Sequence, residues 1–171
     1  SHKQLLFTTH MNKKNLNFNL EIFDNSNIPW AAIKSEIMRI ERAAFGNKSD
    51  SEEMMEKCFT NPKVVAIFLR DTKNGQMAGY SYAIPDPQAK SNKVALIDST
   101  AILPSHQGKG LVGAMSELLE NELVKRGYKY MTERANVANG YADKIEKIYA
   151  GRIVEKHDVD SVYGKQRYFK I

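Results

Sequence analysis

The chain has 171 residues, 42% hydrophobic and 26% charged, a size and balance that fit one domain spanning 1–171 and burying about 70% of the surface its unfolded form exposes. Its 25 Lys and Arg against 20 Asp and Glu give a formal net charge of +5, but the cations are scattered among the acids with no basic stripe interleaved with aromatics, which argues against a nucleic-acid binder. No apolar run approaches the roughly 18 residues of a membrane span, a single cysteine, Cys58, excludes an internal disulfide, and no basic leader with an apolar core opens the sequence, so the expected address is the cytoplasm.

Residues 3–15 are rich in Lys and Asn, and 1–15 are expected to be loosely ordered. Leu16 to Phe23 sets Leu16, Phe18, Leu20 and Ile22 against polar neighbours, the pattern of a half-buried strand. Asn25 to Pro29 opens a helix in which Ile33, Ile37, Ile40 and Ala44 recur at helical spacing, with Gly46 suited to close it in a left-handed conformation. Ser49 and Glu52 have capping-box spacing for a second, shorter helix with Met54, Met55, Cys58 and Phe59 on its apolar side. These helices are candidates to wall off a pocket in which Glu41, Glu52, Glu53 or Glu56 would meet a cationic amine; each of these acids also reads as a solvated surface residue.

Val64 to Leu69 is continuously apolar, a strand covered on both faces, and Asn74-Gly75 signals a hairpin into Met77 to Ile84, which places Tyr80, Tyr82 and Ile84 on one face. After a turn over Pro85 to Asn92, Val94 to Ile102 completes an antiparallel meander. A helix follows with Leu111, Met115, Leu118 and Leu119 on one face, ending at Lys125, Arg126 and Gly127. Tyr128 to Ala135 is the fifth strand, parallel to the fourth through a right-handed connection. Asn139 to Ala150 is a helix with Ala142, Ile145, Ile148 and Tyr149 inward, and Arg152 to His157 with Val162 to Ile171 form a final hairpin.

Between the fourth strand and the central helix lies Pro104-Ser105-His106-Gln107-Gly108-Lys109-Gly110. A glycine-rich turn of this kind presents bare backbone amides at a helix N-terminus, where the macrodipole adds about half a positive charge, and so makes a seat for phosphate. Gly108 and Gly110 leave room for an anion, and Lys109 adds a cation. Two patterns fit. Gly108-x-Gly110-x-x-Gly113 matches the dinucleotide-binding fingerprint, with Glu133 at the distance of a ribose-binding acid. That fingerprint requires its first glycine to close the strand directly and to open a series of parallel units, whereas five residues intervene here and strands joined by short turns precede.

The run Ala101-Ile102-Leu103-Pro104-Ser105-His106-Gln107-Gly108-Lys109-Gly110-Leu111 resembles the strand, proline turn and Arg/Gln-x-x-Gly-x-Gly/Ala signature of the GNAT superfamily of N-acetyltransferases, with Val112 in the final Gly/Ala slot. The order of elements along nearly the whole chain is also that of the GNAT fold. The resemblance implies an α/β fold with a mixed, mostly antiparallel seven-stranded sheet, about four helices, and fourth and fifth strands parallel and splayed. It further implies that acetyl-CoA is the acyl donor and an amine the acceptor, in a monomer or homodimer. The backbone of Ala101 and Ile102 would hold the pantetheine arm, and the amides of Gln107, Gly108, Lys109, Gly110, Leu111 and Val112 the pyrophosphate.

Acetyl transfer needs a neutral amine beside a thioester carbonyl, and a free alkylamine has a pKa of about 10.4, so a base must take its proton. Asp98 is the candidate base: it shares a period-2 face with Leu96 and Thr100, where many GNAT enzymes carry a Glu, and partial burial would raise its pKa. Otherwise it is a polar strand residue bonded to a neighbouring loop, or a bulge turns it to the other face. GNAT enzymes often supply a Tyr to the departing thiolate from an Asn-x-x-Ala-x-x-Leu-Tyr run. Here Asn139-x-x-Ala142-x-x-Ile145 fits, Glu146 holds the Tyr slot, and the role passes to Tyr149, with Tyr141 its rival; Tyr149 also reads as a core aromatic. Asn139 either caps its helix or touches the CoA arm. His2, His10, His106, His157 and Cys58 show no metal spacing, and no metal is expected. A non-catalytic acyl-CoA sensor of the same fold is the alternative, supported by Val112 and the displaced Tyr.

Overall fold

The computed structural model describes residues 17–171; the expected loose segment 3–15, Leu16, His2 and His10 lie outside the described residues. Seven described strands form one sheet in the order β1-β2-β3-β4-β5-β7-β6, with β1 at Phe18–Ile22, β2 at Val65–Asp71, β3 at Met77–Pro85, β4 at Val94–Ile102, β5 at Tyr130–Asn136, β6 at Glu155–Ser161 and β7 at Gly164–Lys170. All pairings are antiparallel except β4 with β5, which are parallel and joined through a helix. The helices are α1 (Trp30–Phe45), α2 (Glu52–Phe59), α3 (Leu111–Lys125) and α4 (Tyr141–Ile148).

The sheet is covered on both faces over β1 to β4 because its strands alternate two apolar sets. Val65, Ile67 and Leu69 of β2 pack with Leu111, Met115, Leu118, Leu119 and Leu123 of α3, while Ala66 and Phe68 face the side of α1 and α2. Each large apolar side chain so buried contributes about 1.5–3 kcal/mol, so α3 is held by one stripe of five. The opposite layer is aromatic: Phe59 of α2 lies 4.8 Å from Tyr82 and 6.0 Å from Tyr80 between ring centroids. A third cluster, Met131, Ala135, Ala142, Ile145, Tyr149 and Phe169, docks α4 on β5 and β7.

Several predicted boundaries move for local reasons. Ser51, not Ser49, caps α2, accepting from the Met54 amide at 3.2 Å, while the Ser49 hydroxyl turns back to the Glu41 and Gly46 carbonyls and Glu52 pairs with Lys34. Met54 stands on the solvent side of α2, so only Met55 and Phe59 of its predicted apolar set are buried. Pro29 is the N-cap of α1, and the Asn25 amide group ties its entry to the Phe59 and Asn61 carbonyls at the end of α2. Gly46 has φ +56 but ψ −123, outside the left-handed helical well, and a 3-10 turn over Gly46–Lys48 follows. The last hairpin starts later than predicted, because Gly164 with φ +95 makes its turn beside Ser161.

Candidate active site

β4 and β5 share only four rungs, Val94 with Tyr130 through Ile97 with Glu133. Beyond them β4 continues along β3, while β5 continues along β7, so the two strands part and leave the β4 edge from Asp98 to Ile102 open. A cleft of about 570 Å³ runs from this edge to the glycine-rich turn, lined by Thr100, Ala101, Ile102, Gln107, Gly108, Gly110, Leu111 and Val112, with Asn139, Tyr141 and Lys144 opposite. Gly108 and Gly110 adopt φ +79 and +73, a conformation that costs an L side chain about 1–2 kcal/mol, and open space lies where their Cβ atoms would be. Among the described residues, the amides of Gly108, Gly110, Leu111 and Val112 donate no hydrogen bond, as at the start of any helix whose first amides lack intrahelical partners.

Two members of that predicted set differ in role. The Lys109 side chain is not part of the cleft wall; its ammonium lies 5.5 Å over the Phe18 ring, so only its backbone belongs to the turn. Asn139 lies at the cleft mouth and its side-chain oxygen accepts from the Tyr141 amide at 3.0 Å, so it both borders the cleft and shapes the entry to α4. His106 borders the cleft as well, braced by Asp71 at 3.1 Å and Ser105 at 2.8 Å.

A second cavity, about 300 Å³, adjoins the first at Phe45, Thr100, Asn139 and Tyr141. Four carboxylates line it, Glu41 of α1, Asp50, Asp98 of β4 and Glu133 of β5, against two cations, Lys48 and Arg134. Asp98 arrives through a β-bulge, for Tyr82 pairs with Ser99 and Ala83 with Ile97, leaving Asp98 as the extra residue. The bulge keeps Asp98 on the Tyr82 side, where its Oδ2 accepts from the Tyr82 hydroxyl at 2.8 Å and lies 3.6 Å from Cys58 Sγ. It also breaks the alternation, so that Thr100, bonded to Ser81 at 2.8 Å, faces the other way and does not share a face with Asp98 as the period-2 reading requires. Asp98 is exposed rather than partly buried.

Glu41 is almost fully buried, and its carboxylate accepts from the Tyr80 hydroxyl and, at 2.9 Å, from the Asp50 amide. Burial pushes its pKa up against those hydrogen bonds, and burial followed by the charge of Asp98 does the same to Asp50. Of the acids expected near an amine, Glu41 alone borders the cavity; Glu52, Glu53 and Glu56 do not. Cys58 is inert as a thiolate source, its pKa pushed to about 11 by burial and then by Asp98.

Glu133 is 7% exposed, and burial raises its pKa to about 7, with the Tyr141 hydroxyl bonding to it and partly opposing the rise. The reading of Glu133 as a ribose-binding acid does not survive its position, since the glycine-rich turn follows an antiparallel meander. The signal that finds it in the sequence is an acid between Met131 and Ala135, at an inward position of an alternating strand. Tyr141 borders both cavities, and burial followed by Glu133 raises its pKa well above the phenol range. Tyr149 borders neither: it is buried in the cluster of Met131, Ala135 and Phe169, with Arg152 5.5 Å from its ring. Burial pushes its pKa to about 12. Asp50 and Arg134, which also border the second cavity, carry no sequence pattern that singles them out.

The family model described as Acetyltransferase (GNAT) family matches residues 30–143. The chain belongs to that family, and its class is that of the acetyl-CoA-dependent N-acetyltransferases. Its fold is shared with solved structures at low identity. A putative acetyltransferase from Salmonella typhimurium, solved with its cofactor acetyl-CoA, is 16% identical with a TM-score of 0.66 over 91% of this chain and 93% of that one. The ribosomal-protein-S18-alanine N-acetyltransferase from Escherichia coli is 17% identical with a TM-score of 0.66 over 90% of each chain. A phosphinothricin acetyltransferase from Sinorhizobium meliloti in complex with acetyl-CoA is 17% identical, with a TM-score of 0.68 over 91% and 88%. No curated protein matches the chain in sequence. No described helix is long and apolar enough to cross a membrane.

Proposed function

We propose that the protein transfers acetyl from acetyl-CoA to a primary amine by direct attack, with the diphosphate on the turn from Gln107 to Val112 and the acceptor in the acidic cavity. The observation that carries this reading is the junction of the two cavities at Thr100 and Tyr141, where an amide-lined anion seat opens onto a pocket walled by carboxylates. Asp98, exposed on the bulge and held by Tyr82, draws the ammonium in. Glu133 accepts its proton through water, since a group with a pKa near 7 is both deprotonated enough and basic enough to act at neutral pH. The amine lone pair forms the C–N bond as the C–S bond breaks; of the two protons the ammonium nitrogen loses, the one that Glu133 takes goes on to solvent water and the other passes by Tyr141 to the sulfur. Atoms and charge balance as N-acetylamine, CoA thiol and one released proton.

Tyr141 takes the acid role in this scheme in place of Tyr149, because it adjoins both cavities and Glu133. The test is thiol release from acetyl-CoA against a panel of amines. Amine-dependent release supports acetyl transfer, whereas acetyl-CoA binding with no release from any amine is the behaviour of an acyl-CoA sensor and overturns it.

A further inference from the structure

One rung past the last parallel pair, Ile97 with Glu133, Asp98 and Arg134 stand on opposite lips of the opening between β4 and β5. Both follow the face of the Leu96–Thr132 rung, and both border the acidic cavity. An acid and a guanidinium so placed would ordinarily close into an ion pair, yet none forms between them. The chain has seven arginines, and five are engaged: Arg39 on the Met77 carbonyl, Arg70 on Glu21, Arg126 near Glu122, Arg152 on Glu120 and Arg167 on Asp158. Of the two without a side-chain hydrogen bond or ion pair among the described residues, Arg42 lines neither the cleft nor the acidic cavity. Arg134 borders the acidic cavity and also a groove of about 410 Å³ over the face of β5, β7 and β6 that carries Thr132, Tyr168 and His157.

That groove carries Lys90, Arg134, His157 and Lys170, against Asp86 and Glu155. Asp86 is occupied by the Thr132 hydroxyl at 2.8 Å and the Gln88 amide at 2.9 Å, and Glu155 lies 3.6 Å from His157. Negative charge thus gathers on the Glu41, Asp50 and Asp98 wall, where Lys48 is the one cation beside it among the described residues, and on the β5 side positive charge begins at Arg134 and continues into the groove. A monocationic or dicationic acceptor satisfies the first and leaves the second without a role. Guanidinium is the group best matched to a carboxylate, binding it bidentately.

We propose that the acceptor is an amine that also bears a carboxylate, its amine seated against Asp98, Asp50 and Glu41 and its carboxylate held by Arg134, which makes Arg134 a specificity-determining residue. This rests on the acetyl-transfer reading above. The carboxylate belongs either to a free amino acid or to an acidic peptide lying along the groove, and these two sources share the same recognition.

The experiment measures kcat/KM at saturating acetyl-CoA for free amino acids, their amides, acidic peptides, the same peptides with Gln and Asn in place of the acids and an amidated terminus, and a linear diamine. The expected result is a preference of about tenfold or more for the carboxylate-bearing member of a matched pair, expressed in KM. Arg134→Gln should cut that preference ratio about tenfold, and Arg134→Lys should restore part of it. The amino-acid and peptide arms tell which source is used. A diamine or neutral amide turned over best, with a preference ratio that Arg134→Gln does not move, overturns the inference and leaves acetyl transfer standing. Failure of every amine to release thiol overturns acetyl transfer itself, and this inference with it.

Discussion

At the scale of single residues, the site assigns separate work to groups of the same chemistry. Glu133 and Asp98 are both carboxylates, but one is buried with its pKa pushed to about 7 and the other sits exposed on a bulge, bonded by Tyr82. Only deprotonated Glu133 can take a proton, so kcat/KM should rise with pH through about 7 and level above it, and Glu133→Gln should lower activity at pH 8 and erase that limb. Asp98→Asn should slow turnover about tenfold or more while calorimetry finds CoA affinity nearly intact; wild-type turnover would remove Asp98 from the scheme. Gly110 has φ +73, so Gly110→Val strains the turn and should weaken CoA at least tenfold; normal affinity by the same calorimetry would count against the amide cradle.

At the scale of elements, β3 and β4 act together. Gly79 faces Ile102 across the pair, and a Cβ there would lie 2.8 Å from the Ala101 carbonyl oxygen, a backbone atom with nowhere to go. Gly79→Ala should therefore cost about 1–3 kcal/mol in urea unfolding and shift the edge on which the cofactor arm is expected to lie. The meander, the parallel crossover and the central helix were legible because hydrophobic period and turn chemistry agree there: Val94 to Ile102 appears with its predicted bounds, and Leu111, Met115, Leu118 and Leu119 are all buried. Less legible was whatever depends on a single extra residue. A bulge was one of the readings open at Asp98, but nothing in the sequence tells that it leaves Asp98 on the Tyr82 side and turns Thr100 instead. Similarly, the Tyr slot in α4 is decided by where the helix begins. Gly140 with φ +80 starts it at the junction itself, which leaves Tyr141 on the cavities and places Tyr149 two turns on, in the core. The capping serine of α2 was ambiguous for the same reason, since Ser49 and Ser51 lie two residues apart and tertiary contacts of Glu41 select between them.

At the scale of the whole molecule, the buried carboxyl proposed as the base also bears on stability. A glutamate ordinarily titrates near 4.5, and burial in the fold raises Glu133 to about 7. Below about 4.5 both states hold the proton and the stability is full; between the two values the unfolded chain releases it first, so stability falls as pH rises and is flat above about 7. The loss amounts to at most about 3 kcal/mol, and Glu41, also raised by burial, adds to it in the same direction. Urea unfolding at pH 5 and pH 8 should show the decline, and Glu133→Gln should shrink it; an equal decline in the variant would place the titration elsewhere. The sheet itself sets the site, because β4 and β5 must part after four rungs for the turn, the open edge and the acidic cavity to meet. The direct measurement is a crystal structure with bound CoA: the account predicts the diphosphate on the amides between Gln107 and Val112 and the thiol arm along Ala101 and Ile102, pointing to Tyr141. CoA bound with that turn empty and its thiol outside the opening between β4 and β5 would contradict it.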